Sequence, residues 1–431
     1  MKGRAAPVPL QVYRGVTAAA TLLAPIWLRY RVGKGKEDPG RLAERRGIAS
    51  APRPKGPLVW VHGASVGEVL SVMPLLDRLT ERGFNVLLTS GTLTSGRIAA
   101  RRPNPALTHQ FVPLDARRFV RRFLDHWQPD LALLAESELW PNLIGETGRR
   151  GTPMVLVNGR LSQRSSARWA RLPNSARALL SHVDLCLAQS RDDGQRFEAL
   201  GAPRVQVSGN LKFDVPPPTA EPDALEKMRT AVRGRPVLLA ASTHSGEDAV
   251  VIDAHGLLRR EVPDLLTIIA PRHPERGADI YGLAEQAGLR VRLRSAGHLP
   301  DGATDLYVAD TVGELGVFYR LAPVVFVGGS LVRHGGQTPI EAAKLGAVVL
   351  HGPHVWNFGA LYARLDQEGG AVPIEDALSL AEGVLAQMTD STLHRHTVEA
   401  ARRTTQALSG ALDRTLAAID PYLAQIRLAR R

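Results

Sequence analysis

Short apolar runs alternate with longer amphipathic stretches along this chain. Leu58 to Val61, Val86 to Thr89, Leu131 to Ala135, Met154 to Val157, Leu185 to Ala188 and Val205 to Val207 read as buried strands separated by helices. The pattern breaks at Val215-Pro-Pro-Pro-Thr-Ala-Glu-Pro222, where proline removes donors and stiffens the chain, as in an interdomain linker. A second series follows: Val237 to Ala241, Leu265 to Ala270, Val291 to Leu293, Leu306 to Val308, Val324 to Val327 and Val348 to Leu350. After Leu378 the sequence is helical in character. The pattern predicts an α/β protein of two Rossmann-like, doubly wound lobes, with ligands gathered at the carboxyl ends of the strands. The expected divisions are an N-terminal segment 1–35, a first lobe 36–214, a linker 215–234, a second lobe 235–398 and a C-terminal helical segment 399–431.

The stretch Leu10 to Leu28 is mostly apolar but contains Gln11, Arg14, Gly15 and Pro25, and it leads into Arg29, Arg31, Lys34 and Lys36. At about 19 residues it is barely a span, so an interfacial anchor stands beside a full crossing. A packed helix is a third reading. An export signal fits less well, because its basic flank precedes the apolar region.

At 431 residues the chain suits roughly two domains. The formal charge of +12 favours an anionic partner: a membrane face, a phosphorylated substrate or nucleic acid. Arg117, Arg118, Arg121 and Arg122, like Arg160, Arg164, Arg168 and Arg171, have few interleaved aromatics and read poorly as a nucleic-acid surface. Facing a membrane they would attract anionic lipids. The single cysteine, Cys186, excludes an intramolecular disulfide and a cysteine metal cluster, which fits the cytoplasm.

Candidate chemistry lies in the loops after strands. Glu68, in Gly63-Ala-Ser-Val-Gly-Glu68, sits at a helix opening, placed to act as a base or to cap the first turn. Glu136 and Glu138 end an apolar strand, where unpaired charge is costly, so they require a cation, a ligand or water. In the second lobe Arg272, in Pro271-Arg-His-Pro274, suits a phosphate or carboxylate. Gly328-Gly329-Ser330 and Gly335-Gly336 allow close backbone approach to an anion, with Glu341 in the next helix, and Ala241-Ser-Thr-His244 offers a small polar cradle. His351-Gly-Pro-His354 lacks a third ligand and reads as a loop rather than a metal site.

Taken in order, Gly63 to Glu68, Ser137-Glu-Leu-Trp-Pro-Asn142, Gly209-Asn-Leu-Lys-Phe-Asp214, Ala241 to His244, Pro271-Arg-His273, Val327 to Ser330, Gly335-Gly336 with Glu341, and Gly352-Pro-His354 with Asn357-Phe358 resemble the 3-deoxy-D-manno-octulosonic acid (Kdo) transferases. The resemblance covers nearly the whole chain. It implies a GT-B fold with a central cleft between the lobes and an N-terminal membrane-anchor helix on the cytoplasmic face of the inner membrane. It further implies an inverting glycosyltransferase moving Kdo from CMP-Kdo to the lipid A precursor (lipid IVA), with no cofactor, obligatory metal or obligate protein partner. On this resemblance Glu68 is the general base and Glu138 a supporting carboxylate. Ser65, Gly67 and Glu136 lie on the acceptor side. Lys212, Ser242, Thr243, Arg272, His273, Gly329, Ser330, Gly336 and Glu341 lie on the donor side. Thr338 stands where many relatives carry asparagine, so no amide contact is expected there. A soluble GT-B epimerase or transferase acting on another nucleotide sugar is the alternative.

Overall fold

The computed structural model describes residues 6–102 and 104–429. The chain forms two compact units, one of Met1–Val215 with Leu408–Arg431 and the other of Pro216–Ala407.

The first unit runs α1 (Val8–Gly33), β1 (Leu58–Gly63), α2 (Val66–Glu81), β2 (Asn85–Ser90), α3 (Leu93–Ala100), β3 (Leu107–Phe111), α4 (Arg117–Trp127), β4 (Leu131–Ala135) and α5 (Pro141–Arg149). It continues with β5 (Met154–Gly159), α6 (Gln163–Ala170), α7 (Pro173–Leu180), β6 (Leu185–Ala188), α8 (Arg191–Ala199) and β7 (Val205–Val207). The strands form one parallel sheet in the order β3-β2-β1-β4-β5-β6-β7. All six residues of β1 are buried, because helices cover both faces of the sheet. Val59 and Val61 pack toward α2, while Leu58 and Trp60 pack toward α4, α5 and α7.

The second unit runs α9 (Pro222–Val232), β8 (Val237–Thr243), α10 (Glu247–Leu258), β9 (Leu266–Pro271), α11 (Gly277–Gln286), β10 (Val291–Leu293), β11 (Leu306–Val308) and α12 (Leu315–Tyr319). There follow β12 (Val324–Val327), α13 (Ile340–Lys344), β13 (Val348–His351), α14 (Gly359–Gln367), β14 (Ala371–Pro373), α15 (Ala377–Thr389) and α16 (Ser391–Leu408). Its parallel sheet has the order β10-β11-β9-β8-β12-β13-β14. The last helix, α17 (Ala411–Ala429), belongs to the first unit, where Leu416, Ile419, Leu423 and Ile426 join the core that holds Val59 and Val61. Asp214 fixes that return by accepting hydrogen bonds from the amides of Gly410 (2.6 Å) and Leu412 (2.7 Å).

Three features differ from the sequence expectation. Strands β3 and β14 were not anticipated. The proline-rich stretch is partly structured: Arg320 donates to the carbonyl of Pro218 (2.7 Å), and Glu221 caps α9 by accepting from Asp223 and Ala224. The third concerns α1. Among the described residues no helix is long and apolar enough to cross a membrane. Instead α1 packs through Leu10, Ala24 and Leu28, and Tyr13 donates to Asp115 (2.9 Å) while Thr17 accepts from Asn142 (3.0 Å). Its other side leaves Val8, Val12, Val16, Leu22, Leu23 and Ile26 exposed.

Candidate active site

In an open parallel sheet the winding direction reverses at one pair of strands, and the loops leaving that pair diverge to leave a crevice. In the first unit this pair is β1 and β4. The loop after β1 carries Ser65 and opens into α2, whose first turn carries Gly67 and Glu68; the loop after β4 carries Glu136 and Glu138.

Ser65 is the N-cap of α2, accepting from the amide of Glu68 at 3.3 Å. Glu68 in turn accepts from the Ser65 hydroxyl (2.7 Å) and the Ala64 amide (2.8 Å), so the carboxylate at the crevice also braces the cap. Gly63 makes this turn possible, since a Cβ there would lie 3.2 Å from the Glu68 side chain and from the Val69 amide. Gly67 faces open space. Burial pushes the Glu68 carboxyl above its ordinary range; the Ser65 and Ala64 hydrogen bonds oppose this, and the nearby charges of Glu138 and Glu136 add to it. A carboxylate so raised is a better proton acceptor than a free glutamate.

Glu136 adopts a left-handed backbone (φ 56°), and its carboxylate is paired with Lys212 at 3.0 Å. Lys212 belongs to the 3₁₀ turn Leu211–Phe213, pinned where the Asn158 side chain accepts from the Leu211 amide (2.9 Å). Lys212, expected on the donor side, thus neutralises an acidic residue within the first unit. Glu138 is held by Trp140, which donates to it, and faces His62 Nε2 at 3.7 Å. Burial raises the Glu138 carboxyl, but His62 and Trp140 outweigh that and hold it below the ordinary range. His62, fully buried on β1, is a residue the sequence reading passed over.

In the second unit the reversal lies between β8 and β12. Ser242 leaves β8 in a left-handed conformation (φ 58°), and Gly328 leaves β12 so close beside it that a Cβ would lie 2.6 Å from the Ser242 carbonyl. Thr243 is buried, its hydroxyl bonded to Asp248 at 2.7 Å and its carbonyl accepting from the Arg272 amide at 3.0 Å. Among the described residues five non-glycine residues have positive φ; Glu136, Asn158 and Ser242 lie at or near the carboxyl edges of strands, and such backbone costs about 1–3 kcal/mol each.

The glycine loop is organised by Glu247, which the sequence reading also missed. Its buried carboxylate accepts from the amides of His244 (2.8 Å), Gly329 (2.7 Å), Ser330 (2.9 Å) and Leu331 (2.9 Å). The Ser330 hydroxyl donates to Val327 and accepts from the Gly352 amide (2.9 Å), and the Gly336 amide donates to Gly329 (2.7 Å). These amides are therefore committed within the fold, and Ser330 lies beneath the loop surface. No signal in a first-turn glutamate could reveal partners more than eighty residues away.

Arg272 is exposed, with no carboxylate in ion-pair range among the described residues, and its charge opposes the burial that raises Glu341. His273 is exposed beside His244, whose ring stacks at 3.8 Å on that of His334. Burial first, then the charges of its neighbours, lower His244 to about 4, so the ring is neutral near pH 7. His351 is tied to Asp366 (2.9 Å) and the Gly352 carbonyl, and among the described residues no His, Cys and carboxylate group is arranged to hold a metal.

Two seven-stranded parallel units, each with its polar loops at the winding reversal, have the fold of the GT-B class. A glycosyltransferase structure from Rickettsia africae shares this fold, with a TM-score of 0.59 and 12% identity over 86% of this chain and 99% of that one. Residues 40–215 match the family profile of 3-deoxy-D-manno-octulosonic-acid transferase (kdotransferase). The 3-deoxy-D-manno-octulosonic acid transferase of Bordetella pertussis is 38% identical over 95% of this chain and 99% of its own length. That of Haemophilus influenzae is 34% identical over 89% and 91% respectively. The chain belongs to the 3-deoxy-D-manno-octulosonic acid transferase family.

Proposed function

We propose that the chain transfers Kdo from CMP-Kdo to a hydroxyl of the lipid A precursor (lipid IVA) in lipopolysaccharide synthesis, working at the cytoplasmic face of the inner membrane. The observation that carries the mechanism is Glu68, raised by burial and by two neighbouring carboxylates at the β1–β4 crevice. Glu68 takes the proton of the acceptor hydroxyl as that oxygen bonds to the anomeric carbon of Kdo. The bond from that carbon to the phosphate oxygen breaks, and CMP leaves with the electron pair. Glu138, ionised at the start, and the Glu136–Lys212 pair position the acceptor side.

Donor recognition falls to the second unit. Arg272 answers the negative charge of the donor, and Glu341 in the first turn of α13 accepts from ribose hydroxyls. Ser242, Thr243, His273, Gly329, Ser330 and Gly336 shape the loops around them. With its amides engaged by Glu247, the glycine loop contributes form more than free donors. The exposed apolar side of α1 supports attachment at the membrane interface.

The test is incubation of purified protein with CMP-Kdo and the lipid A precursor, followed by mass spectrometry of the lipid. One or more added Kdo masses support the reading. An unmodified lipid beside intact CMP-Kdo overturns it.

A further inference from the structure

Beside α1 the first unit carries a cluster of positive charge that no fold partner completes. Glu146 of α5 is buried and accepts from Arg117 (2.7 Å), Arg121 (3.0 Å) and Arg149, with Arg150 at 3.8 Å. Arg150 also pairs with Asp125. Arg14, reaching in from α1, has no carboxylate in ion-pair range among the described residues, and its Nε is buried with no hydrogen-bond partner. A Cβ added to Gly145 would lie 3.6 Å from Arg14 Nη2 and 3.7 Å from Arg149 Nη2, so the two guanidinium groups crowd the same spot. Five guanidinium groups therefore stand against two carboxylates. His182 beside them is held neutral, first by burial and then by Arg149 and Arg14, and supplies no counter-charge.

We propose that Arg14, Arg117 and Arg149 bind the phosphate group of an anionic lipid, taken from the membrane on which α1 lies. A guanidinium whose Nε is buried without a partner is favoured by an anion that completes it, and the fork of Arg14 with that of Arg149 offers donors suited to phosphate oxygens. The source follows from α1 itself. Val8, Val12 and Val16 recur at one-turn spacing on its exposed side, while Arg14, about 200° around the helix from Val12 and Val16, points toward α5. With the valines among the acyl chains, Arg14 on the far side of the helix would lie about one helix diameter, roughly 10 Å, above them, at the level of the headgroups. The proposal rests on the membrane attachment given above.

Co-sedimentation of the full chain with vesicles tests it. Three compositions are used: phosphatidylcholine alone, and phosphatidylcholine with phosphatidylglycerol or with phosphatidic acid at matched surface charge. Binding to any of them supports attachment; binding to none sinks the attachment and this site with it. Arg14→Gln should lower affinity for phosphatidic acid vesicles by about fivefold or more, since each arginine near an anionic surface contributes about that factor. The loss should be smaller on phosphatidylglycerol, whose diester exposes less charge, and Arg14→Lys should recover part of it. Equal losses on both anionic lipids would mean diffuse attraction and overturn the site. Because Arg14 strands no partner, Tm of Arg14→Gln without lipid should match or exceed that of the parent; a clear drop would mark a structural arginine instead. Inorganic phosphate is the last arm: if it raises Tm of the parent but not of Arg14→Gln while vesicle binding is equal, the ligand is a soluble phosphate and the lipid assignment fails.

Discussion

His62 Nε2 stands 3.7 Å from Glu138 Oε2, and the other ring nitrogen lies 2.9 Å from the Thr89 hydroxyl. Trp60 donates to that same hydroxyl at 2.8 Å, and the Thr89 carbonyl lies 3.2 Å from His62 Nδ1, so the ring is fixed in place with Nε2 turned toward Glu138. Against the burial that raises it, His62 and Trp140 hold the Glu138 carboxyl below its ordinary range. His62→Gln should therefore raise the pKa of Glu138, read from the carboxyl carbon resonances of labelled glutamate. An unchanged titration would remove His62 from this role.

Glu68→Gln keeps the shape of the cap and removes its basicity. Turnover should fall about 10²- to 10⁴-fold, while Tm and CMP binding stay near the parental values. Near-parental turnover at saturating donor and acceptor would move the base elsewhere.

The sign of the pH effect follows from the same site. Glu68 works deprotonated and its pKa is raised, so kcat/KM should rise with pH through a limb above the ordinary glutamate range. In Glu138→Gln one like charge is gone, and the limb of the residual activity should move to lower pH. A limb that stays in place, or moves upward, would show that another group controls it.

Arg272→Ala and Glu341→Ala should each weaken CMP binding in a folded protein, as measured by calorimetry. Retained affinity in both variants would mean that the nucleotide binds elsewhere.

Glu247→Ala would leave four amides without their acceptor, two of them in fully buried hydrogen bonds, and stability should drop by about 3 kcal/mol or more. Urea unfolding followed by fluorescence measures it. A loss below about 1 kcal/mol would mean that water replaces the carboxylate.

On α1, Leu23→Ser with Ile26→Ser should weaken vesicle binding without lowering Tm, because both side chains are exposed. Deleting the helix is a poorer test, since Leu10, Leu28 and the Tyr13–Asp115 bond would go with it.

Most strands were legible because they are buried on both faces and so lack polar interruption. The exceptions are instructive. β3 reads Leu-Thr-His-Gln-Phe, and its polar residues find partners that lie far off in sequence: His109 bonds Ser90 and Gln110 bonds Trp127. β14 is three residues long and ends in proline. At the candidate site the loop positions of Glu68, Glu136 and Glu138 could be read from the strand ends. Their pairings could not: Lys212 meets Glu136 only because Asn158 anchors a turn 53 residues further on. Arg14 likewise reads as a blemish in an apolar run until α5 brings Arg149 beside it.

The return of α17 fixes an order of events during synthesis. The first sheet is complete at Val207, yet the face bearing Val59, Val61 and Leu133, covered in part by α2, waits for Leu416 to Ile426 to complete its cover. All of Pro216–Ala407 is translated in between, which at about 5–20 residues per second means roughly 10–40 s. The unit made first is thus the last to close. A ribosome that stops short of Ala411 releases a chain with every candidate catalytic residue in place and an apolar sheet face only partly covered, a species suited to chaperones and proteases rather than to turnover.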